Sequence, residues 1–153
     1  MAALVNCPRF HLAVPVDDLD AAGVFYGEVL GCARGRSSGT WTDWDLYGHQ
    51  LVTHLAPVLA AGPDEGRYGS VDGHQVPVPH FGVLLSAEDF HALAARIGRA
   101  GTPFVIEPYL RFAGEPAEQW TMFLCDPAGN ALEFKAFTDD AQVFATDGAR
   151  RSA

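Results

Sequence analysis

The sequence predicts an α+β fold made of two similar halves, each running strand–helix–strand–strand–strand. Three observations carry this. Each half opens on a short apolar run, residues 9–16 (RFHLAVPV) and residues 79–85 (PHFGVLL). Each run leads into one stretch with helical apolar spacing, then into strand-like segments divided by turn signals. Particular residues also recur. His11 and His80 hold the same place in the opening strands, and Trp41-Thr42 and Trp120-Thr121 match at the start of each third strand. One half has a single helix and one sheet face to bury, so the two are expected to complete one core between them.

Along the chain, the first strand is rich in Val and ends at Asp17-Asp18. In LDAAGVFYGEVLG, the residues Leu19, Ala22, Phe25, Tyr26, Val29 and Leu30 fall on one helical face. Asp17 or Asp18 can cap the start of that helix and Gly31 can end it. The polar stretch GRSSG precedes WTDWDLY and QLVTHLAP, which are separated by Gly48-His49, a hairpin signal. Residues 60–78 are rich in Gly, Pro and Asp and read as a linker or long loop. In the second half Ser86 begins a capping box with Asp89, Phe90, Leu93, Ala94 and Ile97 form the apolar stripe, and Gly101 follows the helix. FVIEPYLRF, QWTMFLC, a turn at DPAGN and ALEFKAF complete that half. The expected domain is residues 1–137, with module one at 9–58, a linker at 59–78 and module two at 79–137. The tail, 138–153, loses the pattern and is expected to be peripheral.

The 153 residues are 48% hydrophobic and 19% charged, a globular composition long enough for one domain with its own core. Acidic residues outnumber basic ones, 19 to 10, for a net charge of -9. A phosphate-tracking protein needs a basic stripe, so no nucleic-acid partner is expected. No run of 18 apolar residues suggests a membrane span, and MAALVNCPRF lacks the features of a signal peptide. Cys7, Cys32 and Cys125 show no C-x-x-C spacing and suit a reducing compartment. The expectation is a cytoplasmic protein acting on a small molecule.

Strand alternation then sorts the faces. Phe10, Leu12, Val14 and Val16 suit packing under the helix, leaving His11, Ala13 and Pro15 on the other side. Phe81, Val83 and Leu85 do the same in the second half, leaving His80, Gly82 and Leu84. In the last strand Leu132 and Phe134 take the core face and Glu133 and Lys135 the opposite one. Two histidines and a glutamate thus project away from the helices. Two imidazoles and a carboxylate are a sound donor set for a divalent transition metal. The same residues also read as hydrogen-bonded structural histidines and a solvated glutamate.

The order H-x-A-x-P-V-x-D-L-x-x-A-x-x-F-Y-x-x-x-L-G, then P-H-F-G-V, then D-P-x-G-N-x-L-E-F, resembles the vicinal oxygen chelate superfamily. That group includes glyoxalase I, extradiol ring-cleaving dioxygenases and the fosfomycin- and bleomycin-resistance proteins. The resemblance spans roughly residues 9–137, and the chain looks most like small extradiol-dioxygenase-like members. It implies two βαβββ modules whose curled mixed sheets form a metal-binding cup. It also implies His11, His80 and Glu133 as ligands of a divalent metal, Fe(II) first, with Mn(II), Zn(II) or Ni(II) as alternatives. Dimerisation is common in the family, so a homodimer is expected, with the modules pairing within one chain or swapping between subunits.

Glyoxalase I-type sites resemble this set but use a fourth ligand on the last strand of the first module. Aligning Gly48 with Gly129 places Leu51 on Leu132 and Val52 on Glu133. Valine cannot bind metal, whereas a shift of two residues would present Gln50 or His54. Three protein ligands leave three positions on an octahedral ion, enough for a catecholate and dioxygen, and the 2-His-1-carboxylate set is that of non-haem Fe(II) oxygenases. His54 lies roughly 7 Å beyond Val52 along the strand and suits a proton shuttle, or merely lines a polar cavity. Gln50 can orient substrate. Tyr109 and Arg111 alternate toward the mouth of the cup, where the Arg111 fork suits a carboxylate; a surface salt bridge is the plainer reading. His49, His74 and His91 are expected to be exposed, and Asp126 and Gly129 read as turn chemistry. The expected function is a metal-dependent oxidoreductase of extradiol-dioxygenase type acting on a small catechol-like substrate. The alternatives are a glyoxalase-like lyase or isomerase and a non-enzymatic binder of the bleomycin-resistance kind.

Overall fold

Nine strands and two helices carry the architecture of the computed structural model, which describes residues 7–60 and 68–146. Sheet one holds β1 (His11–Val16), β2 (Ala33–Ser37), β3 (Trp41–Leu46) and β4 (His49–Leu55) in the order β1-β4-β3-β2. Strand β1 runs parallel to β4, and the other neighbours are antiparallel. Sheet two holds β7 (Phe104–Arg111), β8 (Gln119–Cys125) and β9 (Ala131–Phe137) in sequence order, all antiparallel. The fold is mixed α+β.

Residues 79–85, predicted as a strand, make only two isolated parallel bridges to β9, Phe81 with Leu132 and Leu84 with Lys135. The amide of Phe81 donates to Ala131 O at 3.1 Å and that of Glu133 to Phe81 O at 2.8 Å. The ladder loosens where Lys135 N reaches Val83 O at 3.4 Å. The segment therefore takes the place of β1 in the second half with a less regular ladder.

Both helices start as their caps predict. Asp18 Oδ1 accepts from Asp20 N and Ala21 N ahead of α1 (Leu19–Gly23). Beyond Gly23 the helix widens into a π-helical stretch, Val24–Val29, which sinks Phe25, Tyr26 and Val29 into the interior. Gly31, at φ 76°, follows it in the left-handed conformation that glycine tolerates. Ser86 caps α2 (Ala87–Arg99), accepting from Asp89 N, and α2 buries Phe90, Leu93 and Ile97.

One hydrophobic core draws on both halves. Val14, Val16, Tyr26 and Leu51 from the first meet Phe90, Leu93, Leu132 and Phe134 from the second. A polar tie joins the halves as well. Tyr26 donates its hydroxyl to Asp126 Oδ2 at 2.8 Å, and Asn130 Nδ2 donates to both Asp126 Oδ2 and Pro15 O. Asp126 also accepts from the amides of Ala128 and Asn130, so the turn chemistry is present and supports a link across the molecule. Burial, with Asp126 alongside, pushes the Tyr26 hydroxyl well above its ordinary pKa.

The segment read as a linker, 59–78, carries structure. Strands β5 (Tyr68–Val71) and β6 (His74–Pro77) form a hairpin closed by Asp72-Gly73. Both turn residues have positive φ, 50° and 78°, as a two-residue type I′ turn requires. Composition suggested a loop, but the Asp-Gly pair between Val71 and His74 was a hairpin signal. The hairpin docks on sheet two, where Val71 and Val76 pack with Ile106, Tyr109 and Phe123. Residues 61–67 of that linker fall outside the described residues, as do 147–153 of the tail. The described part of the tail holds a short 3₁₀ turn, Asp140–Gln142. No helix among the described residues is long and apolar enough to cross a membrane.

Candidate functional site

The expected donors occupy two separate places in one chain. His80 and Glu133 meet on sheet two, with His80 Nε2 3.0 Å from Glu133 Oε2. Together with Thr121, Lys135, Tyr109 and Arg111 they line a cavity of about 150 Å³ beneath the β5–β6 hairpin. His11 lies on sheet one, beside a shallow cavity of about 500 Å³ that it shares with Gln50, His49 and Asp43. Among the described residues no three His, Cys, Asp or Glu side chains are grouped to hold a metal. Alternation put all three donors on faces away from the helices, and the core agrees with that assignment except at Phe10, which precedes β1 and is exposed where packing under the helix was expected. Sharing a type of face did not bring His11 to the other two.

The His80–Glu133 cluster is densely bonded. His80 Nδ1 donates to Pro77 O at 2.6 Å, which leaves Nε2 aimed at the carboxylate. Thr121 donates its hydroxyl to Glu133 Oε1 at 2.7 Å, and Lys135 Nζ stands 3.4 Å from the same oxygen. Burial works to raise the Glu133 pKa, but hydrogen bonds from His80 and Thr121, aided by Lys135, hold it below the ordinary value. The bond to Glu133 raises the His80 pKa against the opposing effect of burial. The carboxylate is therefore ionised at neutral pH and the imidazole is oriented, which suits a divalent cation at Nε2 and Oε2. Two donors are present here; the third would have to come from another face.

Thr121 and Lys135 were not predicted to touch the site. Lys135 was visible as the chain's one lysine, two residues past Glu133 on the same face. Tyr109 and Arg111 do reach the cavity, and the hairpin holds both. Arg111 pairs with Asp72, and His74 lies tilted against Tyr109 with ring centroids 5.1 Å apart. His74 is thus half-buried on β6, not exposed in a loop; His49, the first residue of β4, is half-buried too, and its Nδ1 accepts from Phe10 N. His91 is exposed as expected.

On sheet one, His11 Nδ1 lies 2.9 Å from Gln50 Oε1. His54 is exposed on β4, opposite Trp41 and Pro15, on the other sheet from Glu133. The ladders fix how the halves correspond. Leu12 pairs with Leu51 as Phe81 pairs with Leu132, so Val52 stands in the place of Glu133 and His54 in that of Lys135. The tryptophans do not match. His54 faces Trp41 and Lys135 faces Thr121, so Trp41 corresponds to Thr121 and the matched pair is one residue out of step. Trp120 accordingly packs against the core.

Residues 10–134 match the family model of the Glyoxalase/Bleomycin resistance protein/Dioxygenase superfamily. The chain belongs to that superfamily. A glyoxalase/bleomycin resistance protein/dioxygenase from Alicyclobacillus acidocaldarius is 34% identical, with a TM-score of 0.72 over 92% of this chain and 100% of that one. The fosfomycin resistance protein FosX from Listeria monocytogenes has a TM-score of 0.63 at 14% identity, over 95% of this chain and 99% of that one. A lactoylglutathione lyase from Agrobacterium tumefaciens gives 0.58 at 19%, over 86% and 95%. The last two show the fold alone. Comparison with curated proteins gives no match.

Proposed function

We propose that this superfamily member is a metal-dependent oxidoreductase of extradiol-dioxygenase type, acting on a small catechol-like substrate as a homodimer. His11 of one copy and His80 and Glu133 of a second would hold a divalent metal, Fe(II) in the active enzyme. The observation that supports the reading is the strand register, in which Val52, a residue that cannot bind metal, is the first-half counterpart of Glu133. Three protein ligands suit a two-oxygen chelate together with dioxygen. The bound metal would supply Lewis acidity toward chelating oxygens and, as Fe(II), one-electron chemistry with dioxygen.

A second copy is the natural source of the missing face. Each donor set is incomplete, and exposed apolar side chains lie near both: Phe10 beside His11, Leu55 beside His54, and Leu84 bridged to Lys135. Around the substrate, Arg111, braced by Asp72, binds an anionic oxygen and Tyr109 forms part of the wall. His54, on the same face of β4 as Val52, takes or returns a proton. A glyoxalase-like lyase would need Gln50 or His54 as a fourth ligand, and the Gln50 oxygen already faces His11.

Mixing two inactive variants tests the assembly. His11→Ala and His80→Ala should each lose metal and catechol cleavage while remaining folded. Refolded together, they should regain about a quarter of the wild-type sites, because each heterodimer retains one intact set. No recovery from mixing would sink the shared site. Stoichiometric Fe(II) without ring cleavage, but with hemithioacetal turnover, would favour the lyase. Ligand binding with no metal requirement would favour a bleomycin-resistance-type binder.

A further inference from the structure

We infer that Gln50 is a positioning residue for His11: it holds the imidazole as the Nδ1–H tautomer and so presents a bare Nε2. The two halves meet the same requirement by different means. In the second half the acceptor at His80 Nδ1 is the Pro77 carbonyl, 2.6 Å away. A carbonyl can only accept, so Nδ1 carries a hydrogen, and Nε2, which donates to Glu133, is the nitrogen that would lose its proton to a metal. Pro77 lies three residues before His80, close enough for its carbonyl to reach the ring.

In the first half, among the described residues, the partner of His11 Nδ1 is a side chain and not a backbone carbonyl. Here the chain runs straight into β1, and Phe10 O is already used, accepting from Gln50 N at 2.9 Å. Gln50 supplies the acceptor from the directly paired position of the parallel β1–β4 ladder. Its Oε1 lies 2.9 Å from His11 Nδ1. With that oxygen engaged, Gln50 supports His11 instead of standing as a fourth ligand. His11 can then coordinate through Nε2.

The metal side of this inference rests on the function proposed above; the tautomer does not, and the experiment separates them. The ring ¹⁵N shifts of His11 are measured in metal-free protein, at a pH where the ring is neutral, and Ni(II) affinity is then measured by titration. Wild type should show an unprotonated Nε2. Gln50→Leu should move His11 toward the Nε2–H tautomer and weaken Ni(II) binding about ten- to a hundredfold. Gln50→Glu, which keeps an acceptor oxygen, should restore the Nδ1–H signature. A His11 signature unchanged in Gln50→Leu would overturn the inference, as would a Gln50→Glu protein that behaves like Gln50→Leu. So would full Ni(II) affinity in Gln50→Leu. If wild type takes up no Ni(II), the proposed function falls and the shift data alone decide the role of Gln50.

Discussion

Ala13 and Gly82 occupy the same place in the two halves, each two residues past its histidine and beside the last strand of its sheet. Ala13 pairs with Val52 in a regular parallel ladder that accepts its methyl group. At Gly82 an added Cβ would lie 1.6 Å from the Glu133 carbonyl oxygen. The second half has drawn its opening segment closer to the final strand and lost ladder regularity, while the first keeps six paired residues. The same two-half repeat therefore yields two different sites. One is a tight His80–Glu133–Thr121–Lys135 cluster under a hairpin. The other is an open His11–Gln50 pair with valine at the carboxylate position.

The contrast is broken most severely at Gly82. Gly82→Ala forces backbone apart and should cost about 3 kcal/mol in urea unfolding, whereas Ala13→Gly should cost about 0.5–1 kcal/mol. Equal costs would show that the two ladders are not built differently. Val52→Glu would make the first half resemble the second. Val52 is only 5% exposed, so the metal-free variant should lose about 2 kcal/mol and regain stability with excess Ni(II). A loss with no metal-dependent recovery would mean that Val52 does not face the assembled site.

Tyr26→Phe sharpens the comparison at the seam between the halves. It removes the buried donor to Asp126 and should destabilise by about 1–2 kcal/mol without altering metal affinity. The smallest effect concerns pH. The His80 pKa is raised above its ordinary 6.5, so its contribution is full below that value and fades as pH rises through the raised one. The Glu133 pKa is lowered from 4.5, so its contribution is full above that value and fades as pH falls through the lowered one. In chelator, the melting difference between wild type and His80→Gln should therefore peak between pH 4.5 and 6.5 and shrink on either side. A difference that stays flat across that range would contradict the His80–Glu133 coupling.

By itself the sequence determined what short-range physics controls. Asp18 and Ser86 cap helices because a side-chain oxygen two or three residues away satisfies the free amides. Leu132 and Phe134 enter the core while Glu133 and Lys135 point away, because side chains alternate in any strand. The repeat register, and with it Val52 opposite the role of Glu133, followed from Gly48 and Gly129 alone. The Trp41–Trp120 match failed because the eye follows identity, and one residue of offset in a strand exchanges its faces. Only the tertiary structure decided the rest. It joined Tyr26 to Asp126 across 100 residues, docked the β5–β6 hairpin over sheet two, and placed Thr121 against Glu133. It also separated His11 from His80 and Glu133. Alternation fixes which face a side chain takes; which faces then meet depends on how whole sheets pack, and no local pattern along the chain records that.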